Sequence, residues 1–137
     1  MEAKLLAVLL SWTVSLSSYT HPGVPPEIVF KTHEFFVEEA CGGFDKCDVV
    51  AWYNNNGIIY LDERLDGHTD AYTRSVVVHE LAHYLQDLSG EYAEMDCDLH
   101  AKREREAYSI QRQYLNKIAG RFTAIYMNYP PCRVSNN

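Results

Sequence analysis

The chain has 137 residues, 47% of them apolar, which suits one domain with a modest core. A formal charge of −7 and the lack of any basic patch argue against nucleic acid or an anionic membrane as partner. The one basic cluster, Lys102-Arg103-Glu104-Arg105, is interrupted by acid and reads as a solvated helix face.

Met1 to Lys4 is short and weakly basic, Leu5 to Leu16 is an apolar run, and Ser15-Leu16-Ser17 offers small residues at the positions a signal peptidase reads. The run is short for a bilayer span. A cleaved secretory signal over 1–18 is therefore expected, with one domain over 19–137 and no membrane association after cleavage. An uncleaved anchor is the alternative. The expected location is secreted or periplasmic. Four cysteines follow, Cys41, Cys47, Cys97 and Cys132, an even count that fits two disulfides in a small exported chain. Cys41 and Cys47 flank Gly42-Gly43 in a short loop that can close on itself, which leaves Cys97 for Cys132. An unbroken helix from Cys97 to Met127 would hold its ends about 45 Å apart, so that second pair requires a break, placed at Gly120.

After a Pro-rich entry over Tyr19 to Pro26, Ile28, Phe35, Phe36 and Val37 recur at helical spacing among acids, which predicts a helix over Glu27 to Ala40. His33 lies in it, in a surface or capping role. Asp48 to Tyr53 and Gly57 to Asp62 are β-branched and aromatic, and the Asn54-Asn55-Asn56-Gly57 turn between them predicts an antiparallel hairpin. If Ile58 to Leu61 is a free edge, it can receive an extended peptide by strand addition. A polar connector containing His68 leads to the stretch that carries chemistry.

That stretch is His79-Glu80-Leu81-Ala82-His83, an H-E-x-x-H set in an apolar helix pattern that starts at about Ala71 to Arg74 and is stopped by Gly90. On a helix His79 and His83 stand one turn apart on one face and can share a metal ion. Glu80 is rotated off that face and suits a general base rather than a ligand. Two histidines hydrogen-bonded in a helix with Glu80 turned to solvent is the bland alternative, but the surrounding valines and leucines bury the motif, and buried ionisable groups need partners.

A second helix is predicted from about Asp98 to Met127, with Leu99, Ala107, Ile110, Tyr114, Leu115, Ile118, Phe122 and Ile125 on one stripe. The third ligand is sought there. At ~100° per residue, Glu104 falls about 60° from the centre of the stripe and Glu106 about 100° from it, which favours Glu104 and keeps Glu106 as the alternative. Ala107 allows close helix approach. Tyr108, one turn past Glu104, is the candidate for a supporting or oxyanion-binding role, with Tyr114 and His100 behind it. Asp87 is a candidate for orienting a ligand histidine.

H-E-x-x-H followed by Glu104-Arg105-Glu106-Ala107-Tyr108 resembles the gluzincin zinc metallopeptidases in their minimal single-domain form. The first Glu of an E-x-x-A motif is a ligand in several of those groups, which matches Glu104; thermolysin-like members would select Glu106. The sequence departs from the family at Tyr108, where Asp or Asn is usual. The chain also resembles small exported bacterial proteins of unassigned function with H-E-L-x-H-x-x-Q and a later E-A-Y-x-x-Q, here His79 to Gln86 and Glu106 to Gln111. The resemblance implies an α+β, zincin-like fold with an N-terminal helix, a small antiparallel hairpin or sheet, a metal helix and a long ligand helix. It also implies one Zn²⁺ per chain and hydrolysis of a peptide or protein substrate, with Glu80 as general base. The alternative function is a non-catalytic, zinc-stabilised binding, toxin or inhibitor domain on the same scaffold.

Overall fold

Apolar runs of different period give this chain four helices and a three-stranded sheet in a computed structural model that describes residues 1–94, 96–121 and 125–127. In chain order the elements are α1 (Ala3–Leu16), β1 (Glu27–Lys31), α2 (His33–Glu39), β2 (Ala51–Tyr53), β3 (Ile58–Asp62), α3 (Ala71–Ser89) and α4 (Cys97–Gln113). A 3-10 turn (Glu63–Leu65) follows β3, and a π-helical turn (Tyr114–Ile118) continues α4. The fold is α+β.

Helix α3 is the centre of the molecule. Asp70 caps its start by accepting from the Thr73 amide and hydroxyl, and Gly90 ends it in the left-handed conformation that glycine adopts without strain. Residues all round α3 are buried, among them Val77, Val78, Leu81, Ala82 and Leu85, because α1, α4 and β2 pack against different sides of it. Leu6, Leu9 and Leu10 of α1, Tyr53, Ile59 and Leu61 of the sheet, and Ala107, Ile110 and Tyr114 complete that core. In the full chain, then, the segment expected to be a signal is α1 and packs against α3. No helix among the described residues is long and apolar enough to cross a membrane.

The helix expected over Glu27 to Ala40 is instead a strand followed by a short helix. Ile28, Val29 and Phe30 pair in parallel with β3, and Thr32 then caps α2 by accepting from the Phe35 amide. A β-branched and aromatic triplet beside an available strand gains a hydrogen-bond ladder that the helical spacing alone does not reveal. The hairpin forms as expected, antiparallel between β2 and β3, although Tyr53 pairs with Ile59 and the connection is longer than a two-residue turn. Asn55 and Gly57 supply its left-handed positions. The sheet order β1-β3-β2 makes β3 the central strand. It is paired on both sides, so strand addition at Ile58 to Leu61 is closed.

A second cluster, Phe36, Val37 and Cys47 with Phe35, Trp52 and Tyr60 against it, lies under the Cys41–Cys47 disulfide. The other expected bridge involves Cys132, which lies outside the described residues, as does Phe122 of the apolar stripe. The ligand helix is shorter than expected: α4 and its π turn end at Ile118, and Gly120 is left-handed. The predicted break is thus present, two residues after the helix.

Candidate metal centre

Helices α3 and α4 pack side by side with Ala107 fully buried between them, and this close approach brings Glu104 to the two histidines of α3. One Glu104 oxygen lies 3.3 Å from His79 Nε2 and the other 3.1 Å from His83 Nε2. One donor atom from each of His79, His83 and Glu104 can be chosen so that all lie within 4.8 Å of one another. Donors about 2.0–2.1 Å from a tetrahedral zinc stand roughly 3.3 Å apart, close to the two distances between Glu104 and the histidines. The imidazoles are nearly perpendicular, with centroids 4.9 Å apart, and the Tyr108 ring packs edge-on against His79 at 4.4 Å. These three side chains are shielded, 12%, 5% and 14% exposed for His79, His83 and Glu104.

Glu80 is buried, and its Oε2 has no hydrogen-bond partner among the described residues. A buried carboxyl oxygen left this way is costly unless a water or ion completes its shell. Burial pushes the Glu80 carboxyl up, against the opposing pull of the two imidazoles. Burial would also raise Glu104, but the hydrogen bonds from His79 and His83 outweigh it and hold that carboxyl far below the usual carboxylate range. Burial disfavours the charged form of His83, yet Glu104 beside it moves the ring up overall.

The alternative ligand, Glu106, is elsewhere. It accepts from the Tyr19 hydroxyl and, at 2.9 Å, from Gln86 Nε2. Burial and then the Glu106 hydrogen bond push that Tyr19 hydroxyl up. Asp87 does not orient a histidine; it accepts from the Tyr53 hydroxyl. Glutamine amides take that place: His79 Nδ1 lies 3.0 Å from Gln111 Oε1 and His83 Nδ1 2.8 Å from Gln86 Oε1. Sequence reasoning missed these roles, although spacing held the signal. Gln86 is three residues past His83 and Gln111 seven past Glu104, each on the face its partner occupies.

Tyr114 is buried in the main core, which makes it a packing residue, while Tyr108 stays at the metal cluster. His33, at the start of α2, and the exposed His68 are outside the cluster, and so is the half-buried His100. No protein-family model, no curated protein and no solved structure matches the chain.

Proposed function

We propose that this protein is an exported zinc peptidase that hydrolyses peptide bonds, with His79, His83 and Glu104 as ligands and Glu80 as general base. The observation that carries the reading is the triad of donors at zinc spacing beside a buried, unpartnered Glu80 oxygen. Bound there, zinc would supply Lewis-acid activation of a water and polarisation of a substrate carbonyl. Glu80, one residue past His79 and off the ligand face, accepts the proton from that water. Its raised carboxyl pKa makes it a better base than an exposed glutamate and a competent acid afterwards, when the proton passes to the leaving amine. Tyr108, packed edge-on against His79, is the candidate for a donor to the reacting oxygen. The Cys41–Cys47 disulfide is compatible with export, since such bonds persist in oxidising compartments.

Elemental analysis of the full chain, followed by a peptide-library assay, tests this. Near-stoichiometric zinc is expected in the wild type and in Glu106→Ala, with loss of zinc in Glu104→Ala. Glu80→Gln is expected to keep the metal and lose cleavage by at least about 100-fold, the scale of a general base. A folded wild type that takes up no zinc on titration sinks the reading. Zinc bound without any cleavage leaves the non-catalytic, zinc-stabilised binding domain.

A further inference from the structure

We infer that Gln86 and Gln111 are positioning residues that hold His83 and His79 as Nδ1–H tautomers, and that Arg103 and Ser75 fix which end of each amide faces its ring. The inference rests on the zinc reading above. A histidine that binds metal through Nε2 must carry its proton on Nδ1, and the partner of Nδ1 decides whether that tautomer is favoured. A glutamine amide can present either an acceptor or a donor to the ring, so the amide itself must be fixed.

For Gln86 the fixing groups have no choice of role. Arg103 Nε–H can only donate, and it lies 3.1 Å from Gln86 Oε1. The Arg103 carbonyl can only accept, and it takes Gln86 Nε2 at 3.0 Å, while Glu106 Oε1 accepts from the same nitrogen at 2.9 Å. Flipping the amide would set N–H against N–H and oxygen against two oxygens, on a side chain with 0% exposure. Oε1 therefore faces His83, and the ring must donate. Arg103 is itself buried and held at its far end, where Nη2 donates to Asn55 Oδ1 at 2.9 Å in the hairpin connection.

Gln111 follows the same logic with different groups. The Ser75 hydroxyl spends its one proton on the Tyr72 carbonyl at 2.7 Å, so its oxygen accepts from Gln111 Nε2 at 3.2 Å. That leaves Gln111 Oε1 toward His79. Both rings thus carry a proton on Nδ1, which leaves the Nε2 that faces Glu104 as the nitrogen a metal ion would take, and Glu106 gains a role one layer out.

The test measures zinc affinity by chelator competition on the full chain, together with the visible absorption of the Co²⁺-loaded form, for wild type, Gln86→Met, Gln111→Met and the swap Gln86→Glu/Glu106→Gln. Each methionine variant is expected to bind zinc about 10- to 100-fold more weakly and to change the Co²⁺ spectrum. The swap keeps an acceptor facing His83 and a donor facing residue 86 from position 106 but sets a carboxylate oxygen against the Arg103 carbonyl, so it is expected to recover part of the affinity lost in Gln86→Met. A residue that only fills space would leave the Co²⁺ spectrum alone and would not be rescued by the swap. Melting of the metal-free variants identifies any that fail to fold, and Gln111→Met and the swap then carry the test. Wild-type affinity and spectrum in the folded methionine variants would overturn the positioning role while leaving the zinc site standing. A wild type that binds no zinc would overturn the zinc reading itself.

Discussion

At the scale of single residues, one acid-sensitive contact outside the candidate metal centre is Asp62. Its side chain is buried, and its carboxylate accepts from Arg64 Nε at 2.9 Å, Nη2 at 2.7 Å and the Arg64 backbone amide at 2.9 Å. The Arg64 side-chain hydrogen bonds hold the Asp62 carboxyl below its ordinary value despite burial. Folding thus favours the ionised form. The stabilisation is complete at neutral pH and is lost as pH falls from about 4, the value for an unfolded carboxylate, through the lower folded value. Urea midpoints at pH 7 and pH 3 are expected to differ less in Asp62→Asn than in wild type; an equal acid shift in both would remove Asp62 from the account. Arg64 is 65% exposed, so solvent screens part of the pair. In the metal centre the sequence made His79, Glu80 and His83 legible, because one helix fixes their relative geometry. Glu104 was separable from Glu106 by helical phase, since their angular positions on α4 differ by about 160° once the two intervening residue steps are counted. The glutamine contacts were not legible in that way, because an amide's partner depends on how two helices meet, and Asp87 was the more conventional choice of charge.

At the scale of elements, α3 positions three functional groups, so its start should matter to the whole site. Asp70 accepts from the Thr73 amide at 3.3 Å and the Thr73 hydroxyl at 2.8 Å, satisfying donors that an N-terminus leaves open. Asp70→Ala is expected to lower stability by about 1 kcal/mol, read as a shifted denaturant midpoint with an unchanged slope. Zinc stoichiometry should survive, because His79 is more than two turns from the cap; an unchanged midpoint would mean that solvent replaces the cap at no cost. The hydrophobic pattern and Gly90 made α3 readable from sequence. Its neighbour β1 was not, because Ile28 was read with Phe35, Phe36 and Val37 at helical spacing, and a run as short as Ile28-Val29-Phe30 is settled as strand only by pairing with β3. The same dependence on tertiary contact put β3 in the middle of the sheet, where local sequence carries no trace of strand order.

At the scale of the whole molecule, the question is what α1 contributes to the fold of the full chain. Leu9 and Leu10 are 1% exposed, Leu6 is 7% exposed, and Thr13 is fully buried with its hydroxyl donated to the Leu9 carbonyl. Burying three leucines contributes roughly 5–9 kcal/mol before the cost of ordering the helix, against a net stability of about 5–15 kcal/mol for a typical domain. The surface they cover belongs to α3, α4 and the π turn, so the helix that carries His79 and His83 loses apolar cover on another side if α1 is absent. A chain beginning at Tyr19 is therefore expected to melt at lower temperature than the full chain and to self-associate through the uncovered face. Zinc should narrow the difference, because an ion that binds only the folded state adds stability by mass action. Calorimetry and light scattering on the two chains, each with and without zinc, make the comparison. Equal melting temperatures and monomers in both would show that the core built on α3 closes without α1, and intact mass of the protein recovered from its host would then say which of the two forms is the mature one.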